Sequence, residues 1–345
     1  SIIDFVVSHN FDARWTIVGA PGSMIRRACV DVRPDFECWV IERHGSVAWQ
    51  SEDASPEQME RCAYHAEKFL LRRRYFEHAM VGFRHTRQLI TDAIAELGRE
   101  RTCDLFFAAE RAYWQSRNDA AQIQRMRQDR LGLGWANHDH HTYRSSRTSF
   151  AGLISILELL GLECRERFYA GREAGWGAQV MEHPICGIIV FADVDLAPDE
   201  VLHDFAHEPL AMRSTLGTVG LWCALHGEAF LSAGMHHLEC QFQFDAARDQ
   251  LQTHGVNSMK PFTDLPYLRQ AFTQGQRWPV REQAIAEALS AGWITEQQAE
   301  GFRREGAIGS HLELLERQDG YKGFNRTGIS DIISATDPRK QLELK

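Results

Sequence analysis

One arrangement recurs along this chain and limits its fold more than any other feature. A histidine-headed run, Asp139-His140-His141-Thr142-Tyr143-Arg144, reads as a strand and leads into a helical stretch at 149–160 that stops at Gly161. Leu153, Ile156, Leu157 and Leu160 have the spacing of one helix face, and a glycine just beyond is the usual C-terminal stop. Further on, Met235-His236-His237-Leu238-Glu239-Cys240-Gln241-Phe242 heads a shorter helix at 246–253 that ends at His254-Gly255. After the first helix come three β-rich runs, 164–169, 178–181 and 187–191, so the order is β-α-β-β-β. The second copy is interrupted by a long, partly helical stretch at about 262–305 and closes with His311-Leu312-Glu313-Leu314-Leu315-Glu316-Arg317. Residues 198–234, between the copies, read as mostly helical. A fixed unit occurring twice implies two supersecondary modules that complete one core.

The region before the repeat has a different texture. Residues 15–50 alternate and are rich in β-formers, and Gly19-Ala20-Pro21-Gly22 reads as a turn, which predicts a small antiparallel sheet. Ser55-Pro56 is a helix start, and helices are expected from about 56 to 130. Arg72-Arg73-Arg74, with Glu67 and Glu77 nearby, reads as a solvated, salt-bridged helix face. The expected fold class is α+β, with residues 1–135 a small sheet plus a helical region and 136–345 the duplicated unit.

The formal net charge is -9 with no long basic run. This argues against a nucleic-acid partner, which needs a cationic face. No apolar run approaches the roughly 20 residues that span a bilayer, and the first residues do not form a signal peptide. The eight cysteines are scattered without a CxxC pair, so reduced thiols in a cytoplasmic protein are expected rather than a disulfide framework or zinc ribbon.

The histidines carry the chemistry. His138, His140 and His141 lie in one strand, where side chains alternate faces. His138 and His140 are expected on one face with Arg144, and His141 on the other. One strand cannot make a metal site from such a run, so further ligands have to come from elsewhere in the chain. His236 and His237 also oppose each other, and only one of them can serve. A rival arrangement, His203-Asp204-Phe205-Ala206-His207, puts two histidines four apart on an expected helix, with Glu228 as a third ligand.

With these residues in hand, the chain resembles the vicinal oxygen chelate superfamily of glyoxalases and dioxygenases. Asp139-His140-His141-Thr142 and His236-His237-Leu238 resemble the first strands of its modules. Glu313-Leu314-Leu315-Glu316-Arg317 resembles the last strand of 4-hydroxyphenylpyruvate dioxygenases, and Gly320-Tyr321-Lys322-Gly323-Phe324-Asn325 resembles their tail. His140-His141-Thr142-Tyr143-Arg144 has the His-x-x-x-Arg spacing of the bacterial 2-oxoadipate dioxygenase/decarboxylase (hydroxyglutarate synthase) family. The likeness spans about 137–335. The stretch 179–184 lacks an arginine that this family leads one to expect.

The resemblance implies two βαβββ modules, at about 137–197 and 235–318, forming an incomplete barrel around a metal. It implies His140, His237 and Glu313 as ligands, Arg144 as a catalytic carboxylate anchor, and Phe324 as a substrate-covering ring. The cofactor implied is Fe(II), with Zn, Mn or Ni as alternatives. The activity implied is a mononuclear oxygenase using O2 and a small carboxylate-bearing substrate, a 2-oxo acid. The other readings are a non-redox, metal-dependent lyase or isomerase of glyoxalase type, and a non-catalytic small-molecule binding protein. The oligomeric state stays open, a homodimer included.

Overall fold

The computed structural model describes residues 1–11, 15–49, 54–241, 243–318 and 336–340. The chain opens with a short helix, α1 (Ile2–Ser8), packed on a three-stranded antiparallel sheet of β1 (Ile17–Val18), β2 (Ile25–Arg33) and β3 (Phe36–Arg43). Four helices follow: α2 (Pro56–Leu70), α3 (Ala79–Leu97), α4 (Arg99–Gln115) and α5 (Asp119–Arg130). The start of α2 is built as its sequence reads: Ser55 caps Gln58 N–H, Gln58 returns the bond, and Pro56 takes the first turn.

The first repeat forms β4 (His138–Arg144), α6 (Phe150–Leu159), β5 (Glu163–Tyr169), β6 (Trp176–Glu182) and β7 (Ile189–Asp195). A connection holding α7 (Thr218–His226) leads to the second repeat. That repeat comprises β8 (His237–Gln241), α8 (Phe244–Thr253), β9 (Thr263–Leu265), β10 (Leu268–Phe272), β11 (Gln276–Trp278), α9 (Glu282–Ser290), α10 (Glu296–Glu305) and β12 (Ala307–Arg317). The large sheet runs β5-β6-β7-β4-β8-β12-β10-β9, with β11 paired to β12. Read outward from the centre, each half has the order first, last, third, second strand of its module. In each half the first and last strands are parallel, and β4 meets β8 antiparallel at the junction. The sheet is mixed and does not close into a barrel.

Two sequence expectations are corrected here. The stretch 262–305 does not begin as a helical insertion. Its first residues form β9 and β10, which pair with each other and, through β10, with β12. Only 282–305 supplies helices, because β10 completes the ladder that β12 needs. The connection 198–234 is mostly irregular before α7, and His203 to His207 form turns rather than a helix.

The main hydrophobic core runs from Phe69, Phe83 and Phe106 in the N-terminal helical region to Leu153, Leu238 and Leu314 in the repeats. The arginine run contributes to this core, contrary to the solvated helix face expected. Arg72 and Arg74 lie just past the end of α2 and are buried. Both bind the carboxylate of Glu110 on α4, at 2.9 and 2.6 Å, and Arg72 also donates to Phe230 O at 2.6 Å. The Tyr143 hydroxyl of β4 reaches the other Glu110 oxygen at 3.1 Å. Adjacent arginines look alike in sequence; only the packed carboxylate between them decides which is buried. Among the described residues, no helix is long and apolar enough to cross a membrane.

Candidate metal centre

The central strands position the site through their registers. In the β4–β8 ladder Thr142 lies opposite His237, and in the β8–β12 ladder His237 lies opposite His311 and Glu239 opposite Glu313. In β12–β10, Glu313 lies opposite Phe272. Directly paired residues point to the same side of a sheet. Thr142, His237, Glu239, Glu313 and Phe272 therefore share one side.

His140, two residues before Thr142, joins them by alternation, and a β-bulge interrupts that alternation on the side of His138. His138 pairs with Cys240, whereas His141 pairs with Leu238. Three steps along β4 match two along β8, so one extra residue is inserted and the alternation breaks. The sequence reading that His138 and His140 share a face is thereby overturned. His138 instead packs beside His141, their rings 4.9 Å apart. His141 also meets Phe107 and lies 3.2 Å from the Arg111 guanidinium. Burial pushes the pKa of both imidazoles down, to about 4 for His138. His138 is thus removed as a substitute for His140. His236 turns to Gly309 O and the Trp222 ring.

One ligand atom from each of His140, His237 and Glu313 lies within 4.8 Å of the others, and all three residues are buried. His237 Nε2 is 3.4 Å from a Glu313 oxygen and 2.8 Å from Thr142 Oγ1. Gln270 Nε2 donates to the other Glu313 oxygen at 3.2 Å. Phe191 and Phe272 wall the pair of imidazoles, their rings 4.4 Å from His140 and 5.2 Å from His237.

Glu239 is the residue the sequence reading missed. It is fully buried, its carboxylate touches His140 Nδ1, and neither of its oxygens has an aligned hydrogen-bond donor. Asp139, His140 and Glu239 form a second converging set that shares His140 with the first. The signal was present: His237-Leu238-Glu239 puts an imidazole and a carboxylate two apart, hence on one strand face.

The electrostatics are those of a site short of positive charge. Burial, with repulsion from Glu239, raises the pKa of Glu313 well above the carboxylate range, and burial raises that of Glu239. Burial disfavours a charged His140, yet the Glu239 carboxylate and Asp139 hold its pKa well above the usual imidazole range. Asp139 is held low despite its burial, through His140 and Arg317, the latter at 2.7 Å. Carboxylates packed together out of water are costly unless a cation joins them. The donor set of imidazole nitrogens and carboxylate oxygens suits a divalent first-row metal. The residues present fit the implied ion.

Arg144 is 2% exposed and stacks 5.6 Å from the Trp222 ring. Its Nε and Nη1 have no hydrogen-bond partner among the described residues. Two residues beyond Thr142, it faces the side of His237. Phe324 lies outside the described residues.

The other groupings do not compete. His203 and His207 are off any helix; His207 is exposed and bonds Glu158 and Asp204, while Glu228 accepts bonds from Ser145 and Ser146. All eight cysteines are free. Cys103, His183 and Cys186 come together, but His183 Nδ1 accepts from the N–H groups of Ile185 and Cys186 at 3.2 Å, which puts the proton of the neutral ring on Nε2 and leaves no lone pair there for a metal.

Gln270 offers a direct check on the centre. Replacing it with leucine removes the donor that orients Glu313 and is expected to weaken metal binding about 10- to 100-fold. Calorimetric metal titration of the folded variant measures this, and unchanged affinity would separate Gln270 from the site.

No protein-family model and no curated protein matches the chain. Several solved structures do. A mutant of 4-hydroxymandelate synthase from Streptomyces coelicolor is similar at 13% identity and a TM-score of 0.32, over 58% of this chain and 54% of that one. The present chain thus spans about half the length of the synthase. Methylmalonyl-CoA epimerase from Mycobacterium tuberculosis is similar at 12% identity and a TM-score of 0.29, over 53% of this chain and 88% of that one. The uncharacterized protein YdcJ from Shigella flexneri is similar at 10% identity and a TM-score of 0.30, over 83% of this chain and 84% of that one. At these scores the neighbours set no chemistry for this chain, which has to come from its own side chains.

Proposed function

We propose that this chain is a mononuclear Fe(II)-dependent oxygenase of vicinal oxygen chelate type acting on a small carboxylate-bearing substrate, a 2-oxo acid. The observation that carries the reading is the convergence of His140, His237 and Glu313 within 4.8 Å, on the sheet side that also bears the unpartnered Arg144. Two imidazoles and one carboxylate are the donor set that holds non-haem Fe(II) with positions left open. Ferrous iron, when bound, supplies the dioxygen chemistry that amino-acid side chains lack.

The protein's own residues do the rest. Arg144 binds the far carboxylate of the substrate, where its planar fork fixes orientation as well as charge. Four residues of strand separate it from His140, about 13 Å, which matches a substrate held at both ends. Phe191 and Phe272 exclude water from around the imidazoles. Gln270 fixes the Glu313 carboxylate. The helices of residues 1–135 act as a buttress, gripping β4 from behind through Glu110 and Tyr143.

The test is to load anaerobically purified protein with Fe(II) and follow O2 uptake and CO2 release across a series of 2-oxo acids. Stoichiometric O2 uptake and CO2 release are expected with at least one dicarboxylate. Bound iron without turnover of any of them would remove the decarboxylating reaction.

One observation favours a second reading. Glu239, directly across from Glu313, gives the site a second buried carboxylate. A set of two imidazoles and two carboxylates suits a non-redox lyase or isomerase that uses Zn, Mn or Ni as a Lewis acid. Metal analysis of unsupplemented protein separates the two, because an active, iron-free preparation would sink the oxygenase.

A further inference from the structure

Beyond the metal ligands, the same side of the sheet carries two opposite charges with buried polar atoms that no hydrogen bond satisfies among the described residues. In the β4–β7 ladder Arg144 lies opposite Asp193, so the two side chains leave the sheet together on the side of Thr142 and His237. They are 2% and 4% exposed. Arg144 Nε and Nη1 and Asp193 Oδ1 have no hydrogen-bond partner, and among the described residues no ion pair joins the two groups. Burial pushes Asp193 up to about 7 even against the nearby guanidinium. Adjacent strands are about 4.8 Å apart, so both groups sit within reach of one small head group.

The consequence follows from charge. A bare carboxylate on Arg144 would satisfy the guanidinium and leave Asp193 facing a like charge. A carboxylate with an ammonium beside it satisfies both. On the same side, three strands from Asp193, His311 offers an acceptor apart from that head group. It is registered with His237, and its Nδ1 donates to Thr273 O at 3.0 Å. Its Nε2 therefore carries the lone pair, and that atom is buried without a partner.

We infer that Asp193 recognises an ammonium group next to the carboxylate held by Arg144, so that the end of the substrate remote from the metal is an amino-acid head group. This rests on Arg144 as the carboxylate anchor of the proposed site. It goes further by naming Asp193 as a specificity-determining residue and an amino-acid head group as the class of substrate end.

The test uses two unreactive probes that differ only in the amino group, adipate and 2-aminoadipate, titrated calorimetrically into metal-free protein. 2-Aminoadipate is expected to bind at least about tenfold more tightly, the effect of one charge-assisted hydrogen bond. In D193N, which keeps the shape and drops the charge, the ratio is expected to fall to about twofold or less, with the affinity for adipate kept or raised and the melting temperature close to wild type. R144Q should weaken both probes. Equal binding of the two by the wild type, binding of neither, or a ratio that survives D193N would each overturn the inference. Should D193N fail to fold, D193S serves in its place, and the wild-type ratio already decides against the inference if it is absent. Because binding is read without metal or O2, a failure here leaves the oxygenase reading standing. Absence of turnover with 2-oxo acids would remove that reading and leave this measurement intact.

Discussion

Replacing His237 with alanine is expected to remove stoichiometric Fe(II) from the protein and to lower O2 uptake far beyond the roughly 100-fold cost of losing a hydrogen bond to a metal ligand. His237 lies at the centre of the candidate site, 3.4 Å from Glu313 and 2.8 Å from Thr142, with its ring against Phe272. Its burial pushes its pKa well down, so the nitrogen presented is the neutral one that binds metals. Its neighbour His236 does not replace it, being turned to Gly309 and Trp222. The fold should survive: the ring leaves a hole, but its only polar contacts are those to Thr142 and Glu313. Iron content by elemental analysis, beside circular dichroism and the O2 electrode, gives the answer. A variant that holds one equivalent of iron at wild-type affinity would exclude His237 as a ligand, and the proposed centre with it.

Replacing Glu110 with glutamine is expected to cost about 3–5 kcal/mol, the usual result of removing one partner from a buried ion pair. Glu110 is 1% exposed and is the shared acceptor for Arg72, Arg74 and Tyr143. Glutamine keeps the shape but leaves two guanidinium groups buried without a counter-charge. For a chain of this size the melting temperature should drop by on the order of 10 °C. Arg73 is the internal control. It lies between Arg72 and Arg74 but is exposed, donating only to Tyr75 O, so Arg73→Ala should change stability by no more than about 0.5 kcal/mol. Scanning calorimetry on the two variants separates the cases. Equal, small effects would mean that water reaches the network and that the arginine run is the solvated surface its sequence resembles.

Much of the architecture was legible because it is written in local signals. The cap at Ser55 and Gln58, the apolar face of α6 and the strand at 311–317 all depend on residues close together in the chain. The strand–helix pairs β4–α6 and β8–α8 were legible for the same reason, each a histidine-headed strand followed by a glycine-stopped helix. The β9–β10 hairpin at 263–272 was not, since its short strands carry little periodicity and take their role from pairing with β12. His140, His237 and Glu313 were named from motifs, but their meeting depends on three strands being neighbours in the sheet.

The composition and order of residues determined the strand–helix pairs β4–α6 and β8–α8, the polarity of the candidate site and the residue types available to it. Tertiary structure alone decided which of those residues face one another. A single inserted residue in β4 turned His138 away from the side of His140, a choice that strand alternation cannot foresee because a bulge is a property of the pairing and not of either strand. The register of β8 against β12 set Glu239 beside Glu313. Packing placed Glu110 between two of three adjacent arginines and left the third in water. For the arginines the deciding energy is the cost of burying charge, which depends on neighbours far away in sequence and is invisible until the chain has folded.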